Sequence, residues 1–160
     1  MAGFLCPHHA LDRPDFQDWF GDSQAVDARG LPLLVSHGTH EPFTAFDPSR
    51  IDPRSSRPAF WFATHRASGF YGPRRVLAYL RVPKLLEAPD GWMTHWVQKA
   101  LADNLEAELN EEDTPRWDGV VFRDVVDGDT PSDVWAVFEP TAIKSPFARA
   151  FDPDDPRFTA

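Results

Sequence analysis

Apolar residues recur along the chain in two patterns that predict helices. Residues 14–20 (PDFQDWF) carry three aromatic side chains at three- and four-residue spacing, which predicts a short helix with one aromatic face. Between Gly91 and about Glu112 apolar positions again recur near the helical period, which predicts the longest helix of the chain. The expected apolar stripe of that helix consists of Trp92, Trp96, Ala100, Leu101, Leu105 and Leu109.

Five short apolar runs predict β-strands. Their bounds are residues 31–36, 59–64, 76–82, 119–126 and 134–138. In the second run, the alternation of side chains predicts that Trp61 faces away from Phe60 and Phe62. Asp127 and Gly128 predict a hairpin turn between the last two strands. Strands that precede and follow one long helix are typical of an α+β fold.

Length and composition limit the class of protein. The chain has 160 residues, 16 basic and 25 acidic, with a net charge of −9, and we expect one domain over residues 1–160. Within it, residues 1–13 are expected to be a loose N-terminal segment and residues 146–160 a C-terminal tail. The lack of a long apolar run predicts no membrane span and no secretory signal. The single Cys6 indicates a reducing compartment, so we expect a cytoplasmic protein, with delivery into a host or target cell left open.

Charge is distributed unevenly along the chain. Between Arg50 and Lys84 there are eight basic residues and one acidic residue, Asp52. Such a stretch in an acidic protein can hold an anionic ligand. The acidic run from Asp103 to Asp113 is typical of a solvated helix face. The overall acidity argues against nonspecific binding to nucleic acid, because neutralising phosphates requires a basic surface.

Few segments carry chemistry that local patterns alone identify. His37 is expected at the end of the first strand, followed by Gly38, which would let a ligand approach the backbone. In an extended chain His37 and His40 point to opposite faces, and nothing else completes a zinc site, so no metal is expected. Cys6 is expected to be an incidental thiol. No glycine-rich loop precedes a helix, which excludes a dinucleotide or phosphate-loop fold.

Several longer segments, taken together, resemble a known family. They are FQDWFGDSQAVDARGLPLLVSHGT at 16–39, FTAFD at 43–47, FWFAT at 60–64, and the region 117–158 that begins WDGVVFRDVV and ends FDPDDPRF. Their order and spacing resemble the ADP-ribosyltransferase-fold domains of phage and mobile-element polyvalent proteins, which belong to the poly(ADP-ribose) polymerase-like branch. The resemblance implies split antiparallel sheets with flanking helices and with NAD in the cleft between them.

The resemblance also implies roles for particular residues. His37 matches the histidine expected to bond the adenosine-ribose hydroxyls of NAD, and Trp61 stands where many relatives carry a tyrosine that packs on nicotinamide. Gly38 is expected to let the nicotinamide amide reach the backbone. The positive stretch suits the pyrophosphate of NAD. The other expected NAD contacts are Thr39, Ser68, Tyr71 and Arg66, with Arg74 and Arg75 as further candidates for the pyrophosphate.

The catalytic acid is where this sequence departs from the pattern. In poly(ADP-ribose) polymerase-like relatives a glutamate opens the last core strand and stabilises the oxocarbenium-like transition state. Here Val134 occupies that position, with Asp133 one residue earlier and Glu139 at the other end of the strand. Asp133 is the candidate acid, although a shift of one residue turns a side chain to the opposite face unless a bulge intervenes.

Three functions stay open from the sequence. The first is a mono-ADP-ribosyltransferase that moves ADP-ribose from NAD to a macromolecular acceptor, with protein expected before nucleic acid. The second is a catalytically inactive module that binds NAD or a partner in a phage or mobile element. The third keeps the fold and hydrolyses NAD, or transfers ADP-ribose to a phosphate of RNA or DNA. Acceptor choice depends on variable loops, and the sequence does not identify it.

Overall fold

The computed structural model describes residues 7–50, 58–63, 73–126 and 131–159. Within these ranges the chain forms two α-helices, α1 (Pro14–Phe20) and α2 (Met93–Leu109), and seven strands. The strands are β1 (Val35–Thr39), β2 (Phe60–Ala63), β3 (Arg74–Leu80), β4 (Leu85–Glu87), β5 (Gly119–Val125), β6 (Ser132–Val137) and β7 (Ile143–Lys144). Short 3₁₀ helices cover Pro7–Asp12, Pro48–Arg50 and Pro140–Ala142. In the described ranges, no helix combines the length and apolar character needed to cross a membrane.

The strands form one curled sheet in the order β4-β5-β6-β2-β1-β3-β7, and the α+β class is confirmed. β4 and β5 are parallel and are joined through α2, so the expectation of purely antiparallel sheets is wrong at this edge. The other neighbours are antiparallel. Among the described residues, β1 and β2 are joined by the pair Ser36 and Ala63. This joint lies between β4-β5-β6-β2 on one side and β1-β3-β7 on the other.

The two faces of the sheet are covered differently. One face, here called the loop face, carries Phe62 and Trp135 and is covered by loop residues such as Phe46 and Phe158. The opposite face is covered by α2 on one half of the sheet and by α1 on the other. Because side chains alternate along a strand, each strand contributes to both layers. The alternation predicted for β2 is confirmed, since Phe60 and Phe62 lie in the loop-face cluster and Trp61 in the α2 cluster.

Both helices lie at the predicted positions, but the apolar stripe predicted for α2 is wrong in part. The pattern located the bounds of α1 correctly. In α2 the buried residues are Val97, Ala100 and Ala107, whereas Leu105 and Leu109 are 56% and 75% exposed. Small alanine side chains allow the helix to approach the sheet closely, so the face that they define turns inward.

The first predicted strand is displaced. β1 begins at Val35, because the preceding residues fold back on themselves: the Leu33 amide donates to the Ala25 carbonyl at 2.9 Å, and Val26 bridges Pro32. β4 and β7, which are three and two residues long, were not predicted because such lengths show no periodicity. Thr64 and the turn expected at 127–128 lie outside the described residues.

Candidate functional site

His37 is the third residue of the five in β1, so it lies inside the strand and not at its end as expected. Its imidazole points to the loop face, half-buried among three phenyl rings. The ring centroids lie 6.1 Å from Phe43, 5.2 Å from Phe46 and 5.6 Å from Phe62. Two of these rings come from the loop after β1 and one from β2. The imidazole therefore sits where β1, β2 and this loop meet.

One hydrogen bond determines the protonation of His37. Its Nδ1 lies 2.7 Å from the main-chain carbonyl oxygen of Trp61. A carbonyl oxygen only accepts hydrogen bonds, so Nδ1 carries the proton and donates. Burial lowers the pKa of His37 and outweighs the opposing effect of the carbonyl. The imidazole is therefore neutral near pH 7, and Nε2 presents a lone pair that can accept a hydrogen bond.

The same bond crosses the joint between the two halves of the sheet. β1 and β2 are joined there by the pair Ser36 and Ala63, and the imidazole of His37 adds a second connection to Trp61 on β2. His37 thus connects β1 with β2 through its side chain, next to the described backbone pair.

Trp61 contributes its backbone to His37 but not its indole. The indole projects to the α2 face and stacks on Phe122 with a centroid distance of 6.0 Å and an interplanar angle of 28°. His37 and the Trp61 indole therefore lie on opposite faces of the sheet. The structure does not bring these two predicted side chains together, because neighbouring residues on a strand alternate in direction.

Asp133 lies on β6, on the loop face with His37. Its carboxylate accepts from Arg123 Nη1 at 2.9 Å and from the Asp124 amide at 3.1 Å. β2 separates β6 from β1, and the register aligns His37 with Trp135, two residues from Asp133, so the backbones of Asp133 and His37 are about 12 Å apart. Val134 points to the α2 face and packs there against the cluster that contains Trp61.

A bulge accompanies Asp133, but it lies on the neighbouring strand. The pairing of β5 with β6 shifts between Phe122 and Val125, and Asp124 has φ 52° there. The alternation within β6 is preserved, since Val134 pairs regularly with Ala63 of β2. Asp133 and Val134 therefore face opposite sides, and it is Asp133 that shares the face of His37.

Gly38 and Thr39 continue β1 beyond His37. They pair with Arg75 and Arg74 of β3, whose side chains are exposed. The Thr39 hydroxyl donates to the Glu41 carbonyl at 3.1 Å and accepts from its amide at 3.3 Å, so it stabilises the local turn. By strand alternation Arg74 shares the loop face with His37 and Arg75 faces the other side, so on the loop face Arg74 is the basic side chain at this end of β1 that suits an anion.

Three expected NAD contacts, Arg66, Ser68 and Tyr71, lie outside the described residues.

A cleft of about 440 Å³ opens at a different part of the molecule. Its lining includes Arg81, which follows β3, whereas His37 pairs with Val76 near the other end of that strand. Four carboxylates also line it, from Asp18, Asp22, Asp118 and Glu139. Such a lining repels a pyrophosphate, so this cleft does not suit NAD, and the chemistry of His37 lies elsewhere.

Sequence reasoning did not single out the residues that surround His37 and Asp133. Phe43 and Phe46 lay within a segment that resembled the family, but no role followed from it. Arg123, which pairs with Asp133 and lies 5.3 Å from the centre of the Trp135 ring, lay in a predicted strand and received no role. The charged pair Arg123 and Asp124 within an apolar run is the signal that could have found it, since a charged side chain there needs a partner.

Comparison with known proteins identifies a family. A family model described as ADP-ribosyltransferase in polyvalent proteins matches residues 27–151, more than three quarters of the chain. Neither the curated proteins nor the solved structures contain a match.

Proposed function

Because the chain belongs to the ADP-ribosyltransferases of polyvalent proteins, we propose that it transfers a single ADP-ribose from NAD to a protein or nucleic-acid acceptor and releases nicotinamide. One observation carries the proposal: His37, at the joint of the sheet, is held neutral with Nε2 ready to accept a hydrogen bond. A ribose hydroxyl is the donor that such an acceptor suits. The transferase acts in a reducing cytoplasm, of the host or of a target cell.

The reaction breaks the bond between ribose C1′ and the nicotinamide nitrogen, and the acceptor then bonds to C1′ and releases its proton to solvent. The bonding electrons leave with nicotinamide, so positive charge develops on the ribose. His37 holds a ribose hydroxyl of NAD and so restricts how the substrate can turn in the cleft. Positioning of this kind lowers the barrier because the reacting atoms are already oriented.

Basic side chains support binding of the pyrophosphate. Arg74 and Arg75 lie across the strand pair from Thr39 and Gly38 and extend to solvent. Guanidinium groups bind phosphate oxygens in a bidentate manner. Gly38, Thr39 and Trp61 stay proposed NAD contacts together with Arg66, Ser68 and Tyr71. For Trp61, the contact is proposed through its main chain near His37, since its indole lies on the α2 face.

Asp133 is the proposed source of negative charge near the developing cation. It shares the loop face with His37, and the indole nitrogen of the neighbouring Trp135 is buried there without a hydrogen-bond partner in the described part of the chain. A buried N–H in that state suits an oxygen atom of a ligand. Because Arg123 partly neutralises the carboxylate, we propose a single transfer and not chain elongation.

A second candidate is an NAD-binding module without activity. The position of Asp133 favours it: the carboxylate is bound by Arg123 and by a backbone amide, and it lies two strands away from His37. A carboxylate held in this way makes no contact with a ribose bound at His37. The two candidates share the binding site and differ in whether nicotinamide is released.

Calorimetry with NAD, followed by an assay of nicotinamide release in cell lysate, separates these candidates. The wild type is compared with His37→Ala and with His40→Ala, an exposed histidine on the same segment. We expect His37→Ala to weaken binding about tenfold or more and His40→Ala to bind normally. Release together with a labelled acceptor supports the transferase, release without one indicates hydrolysis, and binding without release indicates the inactive module. Absence of NAD binding to the wild type contradicts all three.

A further inference from the structure

We infer that residues 152–158, here called the C-terminal strap, pack behind the aromatic rings of the His37 site and hold them in place. Phe158 and Lys144 are the positioning residues. The strap follows the last residue matched by the family model, Phe151. The inference rests on the proposed function for its effect on NAD. Its structural part, the control of the surroundings of His37, can be tested without any ligand.

Lys144 holds the middle of the strap. Its side chain is fully buried, and Nζ donates to the carbonyl oxygens of Asp155 at 2.6 Å and of Arg157 at 3.0 Å. Burial lowers the pKa of Lys144, because removal from water disfavours the charged amine. A buried lysine bound to two carbonyls of one turn constrains the path of that turn.

The end of the strap is bound on both sides. The Phe158 carbonyl accepts from the Ser145 amide at 2.7 Å, next to Lys144, and the Phe158 amide donates to the Thr44 carbonyl at 3.0 Å. Arg157 also bridges Ala45. The strap therefore joins β7 to the loop that carries Phe43 and Phe46. Ser145 and Phe158 are 13 residues apart, so this contact is tertiary and not a local turn.

The ring of Phe158 supports the rings that surround His37. It is buried, with centroids 5.5 Å from Phe43 and 5.6 Å from Phe46. Those two rings contact the imidazole edge to face. Contact thus passes from Lys144 through the strap and Phe158 to the phenyl rings, and from them to His37. Loss of one aromatic ring from such a packed group leaves a space that the neighbours fill only in part.

The pKa of His37 depends on this packing. The groups packed around it are phenyl rings and the Trp61 carbonyl, and among the described residues no charged side chain contributes to its pKa shift. Burial is the main cause of that shift. If the packing of these phenyl rings loosens, water reaches the imidazole, and the pKa of His37 rises toward its ordinary value.

The test compares Phe158→Leu with Phe151→Leu in the full chain. Both phenylalanines are buried in the same C-terminal region, but Phe151 packs on Phe16, Trp19 and Arg13 in the α1 cluster. NMR titration of His37 and calorimetry with NAD are measured on both variants. We expect Phe158→Leu to shift the His37 midpoint upward and to weaken NAD binding about tenfold. Phe151→Leu should lower stability and leave the midpoint unchanged. Equal midpoints in the two variants would overturn the inference.

A second pair of variants tests Lys144 directly. Lys144→Met keeps the apolar stem and removes both hydrogen bonds to the strap, whereas Lys99→Met changes an exposed lysine that pairs with Asp103. The same upward midpoint shift is expected for Lys144→Met alone. An unchanged midpoint in a folded Lys144→Met protein contradicts the role of this lysine. If the wild type does not bind NAD, the proposed function fails, while the His37 titrations still decide the inference.

Discussion

At the scale of single residues, the tautomer of His37 decides what the site can bind. A histidine in solution exchanges its proton between both nitrogens, but the Trp61 carbonyl at 2.7 Å retains it on Nδ1. The lone pair on Nε2 is then directed away from β2. This polarity suits a hydroxyl group and disfavours a second carbonyl or a carboxylate, since both only accept hydrogen bonds.

NAD binding should depend on pH through His37. The pKa of this histidine lies below its ordinary value, so the neutral form persists above pH 6.5 and NAD affinity should be constant from there to pH 8. As the pH falls through the lowered pKa, Nε2 gains a proton, can no longer accept a hydrogen bond, and affinity declines. Calorimetry across this range measures the effect. His40→Ala should retain the decline, and a His37→Ala profile with the same decline would contradict the role of Nε2.

Asp133 should affect the rate of transfer more than the binding of NAD. Asp133→Asn removes negative charge on the loop face, and we expect the rate of nicotinamide release to fall by about 10² with little change in NAD affinity. Single-turnover kinetics separates the two effects. Glu87→Gln is the matched control, because Glu87 is the other carboxylate paired with Arg123. Equal loss of rate in both variants would indicate that Arg123, and not Asp133, is the sensitive group.

At the scale of elements, close approach of strands limits which residues fit. Gly119 opens β5 between β4 and β6, and a Cβ there would lie 2.7 Å from the Ala136 carbonyl oxygen. Backbone atoms in the middle of a sheet cannot move without breaking their ladder. The glycine is therefore required by packing between strands, since no turn is present at this position.

Gly119→Ala should destabilise the protein by about 1–3 kcal/mol, because the added methyl group forces β5 and β6 apart. Chemical denaturation measures the free energy of unfolding. Gly91→Ala is the control, since a methyl group added at Gly91 would meet nothing within 4 Å, and its stability should change little. A neutral Gly119→Ala variant would show that the pairing of β5 with β6 is looser than described.

Restoring the glutamate of the polymerase-like pattern should not restore a catalytic acid. Val134 packs on the α2 face with Trp61, away from His37, so Val134→Glu places a carboxylate in an apolar cluster. We expect a loss of about 1–3 kcal/mol at pH 7. Apolar surroundings at this partly buried position are expected to raise the pKa of the new carboxyl, so the loss should diminish as the pH falls toward 4. Denaturation at both pH values measures this, and faster nicotinamide release by the variant would contradict the assignment of faces.

At the scale of the whole molecule, the two ends of the described chain pack together. Arg13 donates to the carbonyl oxygens of Ala148 at 2.8 Å and Arg149 at 2.7 Å, and it pairs with Asp15. Ala10 and Phe151 are buried in the same cluster around α1. These contacts join the segment before α1 to the segment after β7, and they hold the residues that directly precede the C-terminal strap.

Arg13→Lys should test how far this junction stabilises the fold. A lysine keeps the charge but lacks the planar fork that reaches two carbonyls and a carboxylate together. We expect a loss of about 1–2 kcal/mol in the free energy of unfolding. Arg149→Lys, an exposed arginine in the same region, is the control and should be neutral. Equal stabilities of the two variants would indicate that the ends contribute little.

Local elements and the family could be read from the sequence. The aromatic spacing located α1, and the alternation in 59–64 assigned the two faces of β2. These two features depend on residues within a few positions of one another, where backbone geometry alone sets which side chains share a face. The order of several longer segments indicated the ADP-ribosyltransferase fold. The short strands β4 and β7 were not predicted, because two or three residues are too few to show a periodic pattern of apolar positions.

The chemistry around His37 depends on contacts between distant parts of the chain. The partner of its Nδ1 is 24 residues away, and the strap that supports its aromatic neighbours follows it by more than 110 residues. Which face Asp133 occupies depended on a bulge that lies on β5 and not on β6. Such contacts result from how whole strands pack and align, and a local pattern of hydrophobic and polar residues contains no information about that alignment.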